Sequence, residues 1–162
     1  MIAQFFLVTF LAASNVWLDV PFVHQAENGC GSAVAWMVLR YWSAAPSLDE
    51  VHRVLYSKNK NGVSTIDMEM FFRERNFKTW SFRGEWTDLQ HHLARGRPVI
   101  VCLKPAKHAA TLHFVTVSGF DENEGIVLVN DPAGRKLQKL ARSDFEQQWA
   151  SADHWTLLAV PQ

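Results

Sequence analysis

Residues 30–43, CGSAVAWMVLRYWS, carry a single charge at Arg40 and are otherwise almost wholly apolar. A helix that is apolar nearly all round cannot rest on a surface, so this segment must run through the middle of the molecule with other elements packed about it. The chain has the means to cover it. Its 162 residues are 48% apolar and 12% aromatic, which suits one globular domain with a sizeable core.

The start of that helix also carries chemistry. Gln25-Ala-Glu-Asn-Gly-Cys30-Gly31-Ser32-Ala33 puts a cysteine where a loop becomes a helix, five residues after a glutamine. A thiol at a helix N-terminus feels the positive end of the helix dipole and unpaired N–H groups, which favour thiolate. Gly31 allows a substrate carbonyl to approach the backbone. The Gln25 amide can donate to the oxyanion formed when a thiolate attacks a carbonyl. Cys30 therefore reads as a nucleophile.

Charge and cysteine count exclude several alternatives. Lys+Arg and Asp+Glu are both 16, so no basic field points to nucleic acid. Two cysteines make neither a disulfide framework nor a structural zinc set, and no metal or cofactor is expected. Cys102 lies in Pro98-Val-Ile-Val-Cys-Leu103, which reads as a buried strand, so a Cys30–Cys102 bridge is not expected. Ile2 to Ala13 is mostly apolar and ends in Ala12-Ala13-Ser14, like a signal h-region and cleavage site, although no Lys or Arg precedes it. It is too short to span a bilayer. This predicts a signal-like segment over 1–14, an exported periplasmic or extracellular protein, and a domain over 15–162. The other reading is an N-terminal strand of a cytoplasmic protein.

The pattern then predicts helices first and strands later. Trp17–Val23 is an extended lead-in that Pro21 confines to an edge or loop. Ser47-Leu-Asp-Glu50 is a capping box for a second helix, with Leu48, Val51 and Leu55 inward. Lys58–Gly62 is a loop, and Ser64-Thr-Ile-Asp67 opens a third helix carrying Ile66, Met70 and Phe71. Lys78–Phe82 alternates as a strand, and Trp86, Leu89 and Leu93 mark a fourth helix ending near Gly96. Strands are expected over 98–103, 111–120 and 125–131, with a hairpin at 121–125 and a short strand at 136–140. Ser143-Asp-Phe-Glu146 is a further capping box, and His154–Val160 a final strand. The fold class is α+β, a helical N-terminal half against an antiparallel sheet.

A cysteine nucleophile needs a base, and seven histidines compete. His52, His91 and His92 lie on amphipathic helices, His24 beside the nucleophile loop, His108 in a Lys/Ala-rich loop, and His154 at the last strand. His113 stands apart, because it begins the strand Leu112-His-Phe-Val-Thr-Val-Ser-Gly119 on the face of Val115 and Val117. If Phe120 pairs with Ile126 across the hairpin, Asp131 lies opposite Val115 and diagonal to His113, roughly 7–8 Å away at Cα. Such a carboxylate can fix the imidazole tautomer. A shift of one residue would present Asn130 instead. Asp121 is too distant, roughly 26 Å along the strand.

Gln25, Cys30-Gly31-Ser32-Ala33, Leu112-His113-Phe114-Val115 and Val129-Asn-Asp131-Pro132 together resemble the motifs of papain-like cysteine peptidases. The chain is most similar to the bacteriocin-processing, double-glycine-leader peptidases in a stand-alone form, over residues 17–160. The resemblance implies a papain-like fold with Cys30 as nucleophile, His113 as general base, Asp131 as its orienter and Gln25 as oxyanion donor. It implies a peptide or protein substrate, no cofactor and a monomer. Two other functions use the same residues or fold: an acyl or amide transferase working through the same thioester, and a non-catalytic peptide-binding domain.

Overall fold

A computed structural model describes residues 14–44, 46–105 and 112–162. The signal-like reading of residues 1–13 and the loop with His108 lie outside the described residues. Seven strands form one antiparallel sheet: β1 (Asn15–Trp17), β2 (Phe77–Arg83), β3 (Val99–Leu103), β4 (His113–Asp121), β5 (Ile126–Asn130), β6 (Gln138–Ala141) and β7 (Trp155–Pro161). The order is β2-β7-β3-β4-β5-β6, and β1 pairs with the end of β4. Gly119 permits that pairing, since a Cβ there would collide with the Val16 carbonyl.

Helices cover both faces of the sheet. On one side lie α1 (Cys30–Tyr41), α2 (Leu48–Leu55) and α3 (Thr65–Arg73), which pack Val34, Val38, Leu55 and Phe72 onto Ile100, Cys102 and Phe114. On the other, α4 (Trp86–Leu93) and α5 (Arg142–Ala150) pack Leu89, Leu93, Phe145 and Trp149 onto Val101, Val115 and Val129. A strand covered on both faces has no polar side, which is why β3 is a continuous buried apolar run. Helix α1 is as central as its composition demands, with eight of its residues buried.

The caps of α2 and α3 follow local chemistry. Ser47 Oγ accepts from the Glu50 N–H while the Glu50 carboxylate accepts from the Ser47 N–H, closing the capping box of α2. Ser64 caps α3 by accepting from the Asp67 N–H. Helix α5 differs from expectation: it begins at Arg142 behind Ala141, so Ser143 is inside it and makes no cap. The Glu146 carboxylate accepts from Arg142 Nε instead. Helix α3 is also turned from its expected orientation. Met68, Phe71 and Phe72 are buried, whereas Ile66 is 68% exposed and Met70 52%. Where two apolar stripes share one short helix, the neighbours decide which is covered, and β2 and α2 cover the Met68–Phe72 side.

Candidate active site

Cys30 is the first residue of α1, behind Gly29, and the thiol is partly exposed. Being at the helix start, it lies beside N–H groups that have no partner within the helix. At Gly31 a Cβ would fall 2.6 Å from Val63 Cβ, so the missing side chain makes room for the loop before α3.

His113 begins β4, and its Nε2 is 2.7 Å from Asp131 Oδ1. The imidazole lines the same cleft as the Cys30 thiol, near enough to lower the thiol's pKa. Asp131 follows β5, where its Oδ1 accepts in addition from the Ala133 N–H at 2.9 Å. One carboxylate oxygen thus serves both the histidine and the turn that follows β5. Pro132 extends the set: its carbonyl accepts the Gln25 N–H at 3.0 Å, tying the glutamine loop to the turn that holds Asp131. Gln25 lines the same cleft as Cys30 and His113, and its side-chain oxygen is buried without a hydrogen-bond partner among the described residues.

The strand register that joins His113 to Asp131 contains a correction. At the turn, Asp121 pairs with Ile126 and Phe120 with Val127, one residue off the expected Phe120–Ile126 pairing. An irregularity between Val117 and Gly119 then takes up one residue, leaving Val117 opposite Val129 and Thr116 opposite Asn130. Continued one step, that register sets Asp131 opposite Val115. Two offsets of opposite sign cancel. Asn130 faces away from His113 and is fully buried. Its Nδ2 donates to the Val20 carbonyl at 3.1 Å and its Oδ1 accepts the Leu137 N–H at 2.9 Å. It anchors the lead-in over α1 and has no part in orienting His113.

Among the described histidines, the others are engaged elsewhere. His52 meets Ser32 Oγ and stacks on Tyr56, His91 is bonded by Arg95, and His154 packs on Trp149. His92 lies against Phe82, and His24 against Phe22.

Electrostatics couple the group. Burial pushes the Cys30 thiol up, but the His113 hydrogen bond, the Phe114 and Gly31 N–H groups and the imidazolium charge outweigh it, so its pKa is lowered. Burial pulls His113 down, yet its bonds to Asp131 and Cys30 raise it to about 9. Burial would raise Asp131 as well, and His113 with the turn N–H groups holds it below its ordinary value. These shifts favour a thiolate beside an imidazolium, a charge-separated pair ready for nucleophilic attack.

The pair opens into a cleft of about 580 Å³ walled by Asn28, the 60–65 loop and Leu112. That loop is closed by paired backbone bonds between Ser57 and Gly62, and Asn61 accepts from both Asn28 Nδ2 and Tyr56 Oη. Residues 58–62 read from sequence only as a loop. Neither this wall nor the Phe114 N–H contribution carries a local signal, because each is formed by segments distant in the chain.

The comparisons agree with this architecture. The chain is similar in structure to a protein described as a C39-like peptidase from Bacillus anthracis, with a TM-score of 0.75 and 17% identity over 93% of this chain and 99% of that one. It is similar to the peptidase domain of Streptococcus ComA, a bi-functional ABC transporter of a quorum-sensing pathway, with a TM-score of 0.71 and 20% identity over 86% and 97%. A double glycine motif protease from an AMS/PCAT transporter, solved with its leader peptide, has a TM-score of 0.71 and 21% identity over 91% and 95%. No curated protein matches the chain. The expected papain-like α+β fold is the one these peptidase domains share. Residues 17–156 match the Peptidase C39 like family, and the chain belongs to it.

Proposed function

We propose that the protein is a cysteine peptidase in which Cys30, His113, Asp131 and Gln25 act together. The observation that carries the reading is the line from the Cys30 thiol through His113 to Asp131, opening on a cleft. The Cys30 thiolate attacks the scissile carbonyl and forms a tetrahedral oxyanion. The Gln25 amide donates to that oxygen from the loop tied to Pro132. The His113 imidazolium protonates the departing amine, leaving a thioester on Cys30. Neutral His113 then takes a proton from water as the water attacks the thioester, which expels the Cys30 thiolate, releases the acid and restores the thiolate–imidazolium pair. Asp131 keeps the ring aligned through both steps.

The substrate is a peptide segment bound extended in the cleft beside Leu112 and the 60–65 loop. The family and the leader-peptide complex of a similar protease support this class of substrate. Incubation with a peptide library, read by mass spectrometry, tests it. Cleavage products that disappear with Cys30→Ala are expected. Products joined to an added amine, without hydrolysis, would indicate a transferase, and no product at all would leave a binding domain.

A further inference from the structure

Among the described residues, strand β2 ends the sheet and pairs only with β7. Its register shows which groups face outward. The Gly84 N–H bonds the His154 carbonyl and the Gln162 N–H bonds the Asn76 carbonyl, so even-numbered residues turn their backbone groups to β7. Phe77, Thr79, Ser81 and Arg83 therefore point their N–H and C=O groups away from the sheet, and no backbone partner takes them among the described residues. A seven-residue open edge is a template for another strand. Trp80, halfway along it, is 49% exposed and borders a groove of about 550 Å³ with Phe82 and Arg97.

We propose that a second copy of this chain occupies this edge, with the two β2 strands antiparallel about a twofold axis through Trp80. Only this centring pairs all seven residues. Thr79 then exchanges backbone hydrogen bonds with Ser81 of the second copy, and Phe77 with Arg83. Trp80 meets its own copy at a non-hydrogen-bonded position, where Cα atoms lie roughly 4.5 Å apart and side chains are closest. Aromatic pairs at such positions stabilise strand pairing. The charges are also compatible. Lys78 falls opposite Phe82 and Arg83 opposite Phe77, so no two cations face each other. An isologous contact needs this self-complementarity, and the half-exposed indole is covered by its twin.

Sedimentation velocity of the full chain, from low micromolar to near-millimolar concentration, reads the association. A dimer of two 18.5 kDa chains that grows with concentration is expected. Ser81→Pro removes an outward N–H without touching the β7 ladder, and Trp80→Lys sets two cations face to face. Both variants should be monomeric with unchanged circular dichroism. A cysteine scan fixes the register. In a Cys30→Ser background, Trp80→Cys should form a covalent dimer on mild oxidation, because non-hydrogen-bonded positions match disulfide spacing. Ser81→Cys, which faces Thr79, should not. A wild-type monomer at every concentration overturns the proposal and leaves the edge to an extended peptide of another protein. A dimer indifferent to Ser81→Pro, or equal cross-linking at both cysteines, overturns it too.

Discussion

The two cysteines carry the same side chain and both pack on one core layer, yet their surroundings drive them in opposite directions. Cys102, in the middle of β3, is pushed far above the ordinary thiol value by burial, with Cys30 adding to the rise. Cys30, at the mouth of α1, suffers the same kind of burial but is lowered. The difference lies in donors. Cys102 faces apolar residues of the α1–α3 layer, whereas Cys30 receives the His113 imidazole and the Phe114 N–H. Phe114 sits directly opposite Cys102 in the β3–β4 register, so one residue shields one thiol and stabilises the other as thiolate. Reactivity here is set by what points at the sulfur, not by exposure alone.

The sharpest way to break this contrast is to remove the imidazole. With His113→Ala, Cys30 keeps its burial and loses its main opposing contribution, so it should approach Cys102 in behaviour. Peptide cleavage should fall by at least about 10³-fold, since nucleophile and base act as one unit. Iodoacetamide labelling of Cys30 at pH 6 should fall with it. In the wild type, that labelling should mark Cys30 and spare Cys102 in the folded chain. Equal labelling of the two thiols would dissolve the comparison.

Gln25→Ala should separate attack from turnover. Labelling should stay near wild type because the Cys30–His113 pair is intact. Turnover on a cleaved peptide should drop about 10²–10³-fold, the usual cost of one oxyanion donor. Full turnover would reduce Gln25 to a loop residue.

Asp131→Asn should act through pH. His113 holds its proton up to about 9 through Asp131 and Cys30, against burial. The proposed thiolate–imidazolium pair is therefore lost as pH rises through that value, and the alkaline limb of kcat/KM should lie near it. Replacing the carboxylate by an amide removes charge while burial remains, so the limb should move to lower pH. An unmoved limb would detach Asp131 from the titration.

Asn130→Ala should have the smallest effect on chemistry and a clear effect on stability. Burying unpartnered groups at Val20 and Leu137 should cost about 1–3 kcal/mol in chemical denaturation. The alkaline limb should stay in place, since Asn130 faces away from His113.

In the hairpin, His113 and Asp131 meet although the turn between their strands is offset by one residue. Alternation in 113–117 and the position of Asp131 were legible, because strand period is a local property. The offset at the turn and the irregularity near Ser118 were not, because they are set by how β4, β5 and β1 share the sheet. Helix α3 failed for a related reason. Its two apolar stripes are equivalent in isolation, and only β2 and α2 choose between them. The missing cap at Ser143 shows a matching pattern overridden when the helix begins two residues earlier.

By itself, the sequence determined that a buried helix begins at a cysteine, that a histidine opens an apolar strand, and that a carboxylate follows the next strand. These are properties of short windows, where side-chain period and capping chemistry act without distant partners. Only the tertiary structure decided that His113 meets Asp131 beside Cys30, that Pro132 holds the Gln25 loop, and that Val63 packs against Gly31. Those contacts join segments far apart in the chain, and a pKa shift exists only once burial and donors act at the same atom.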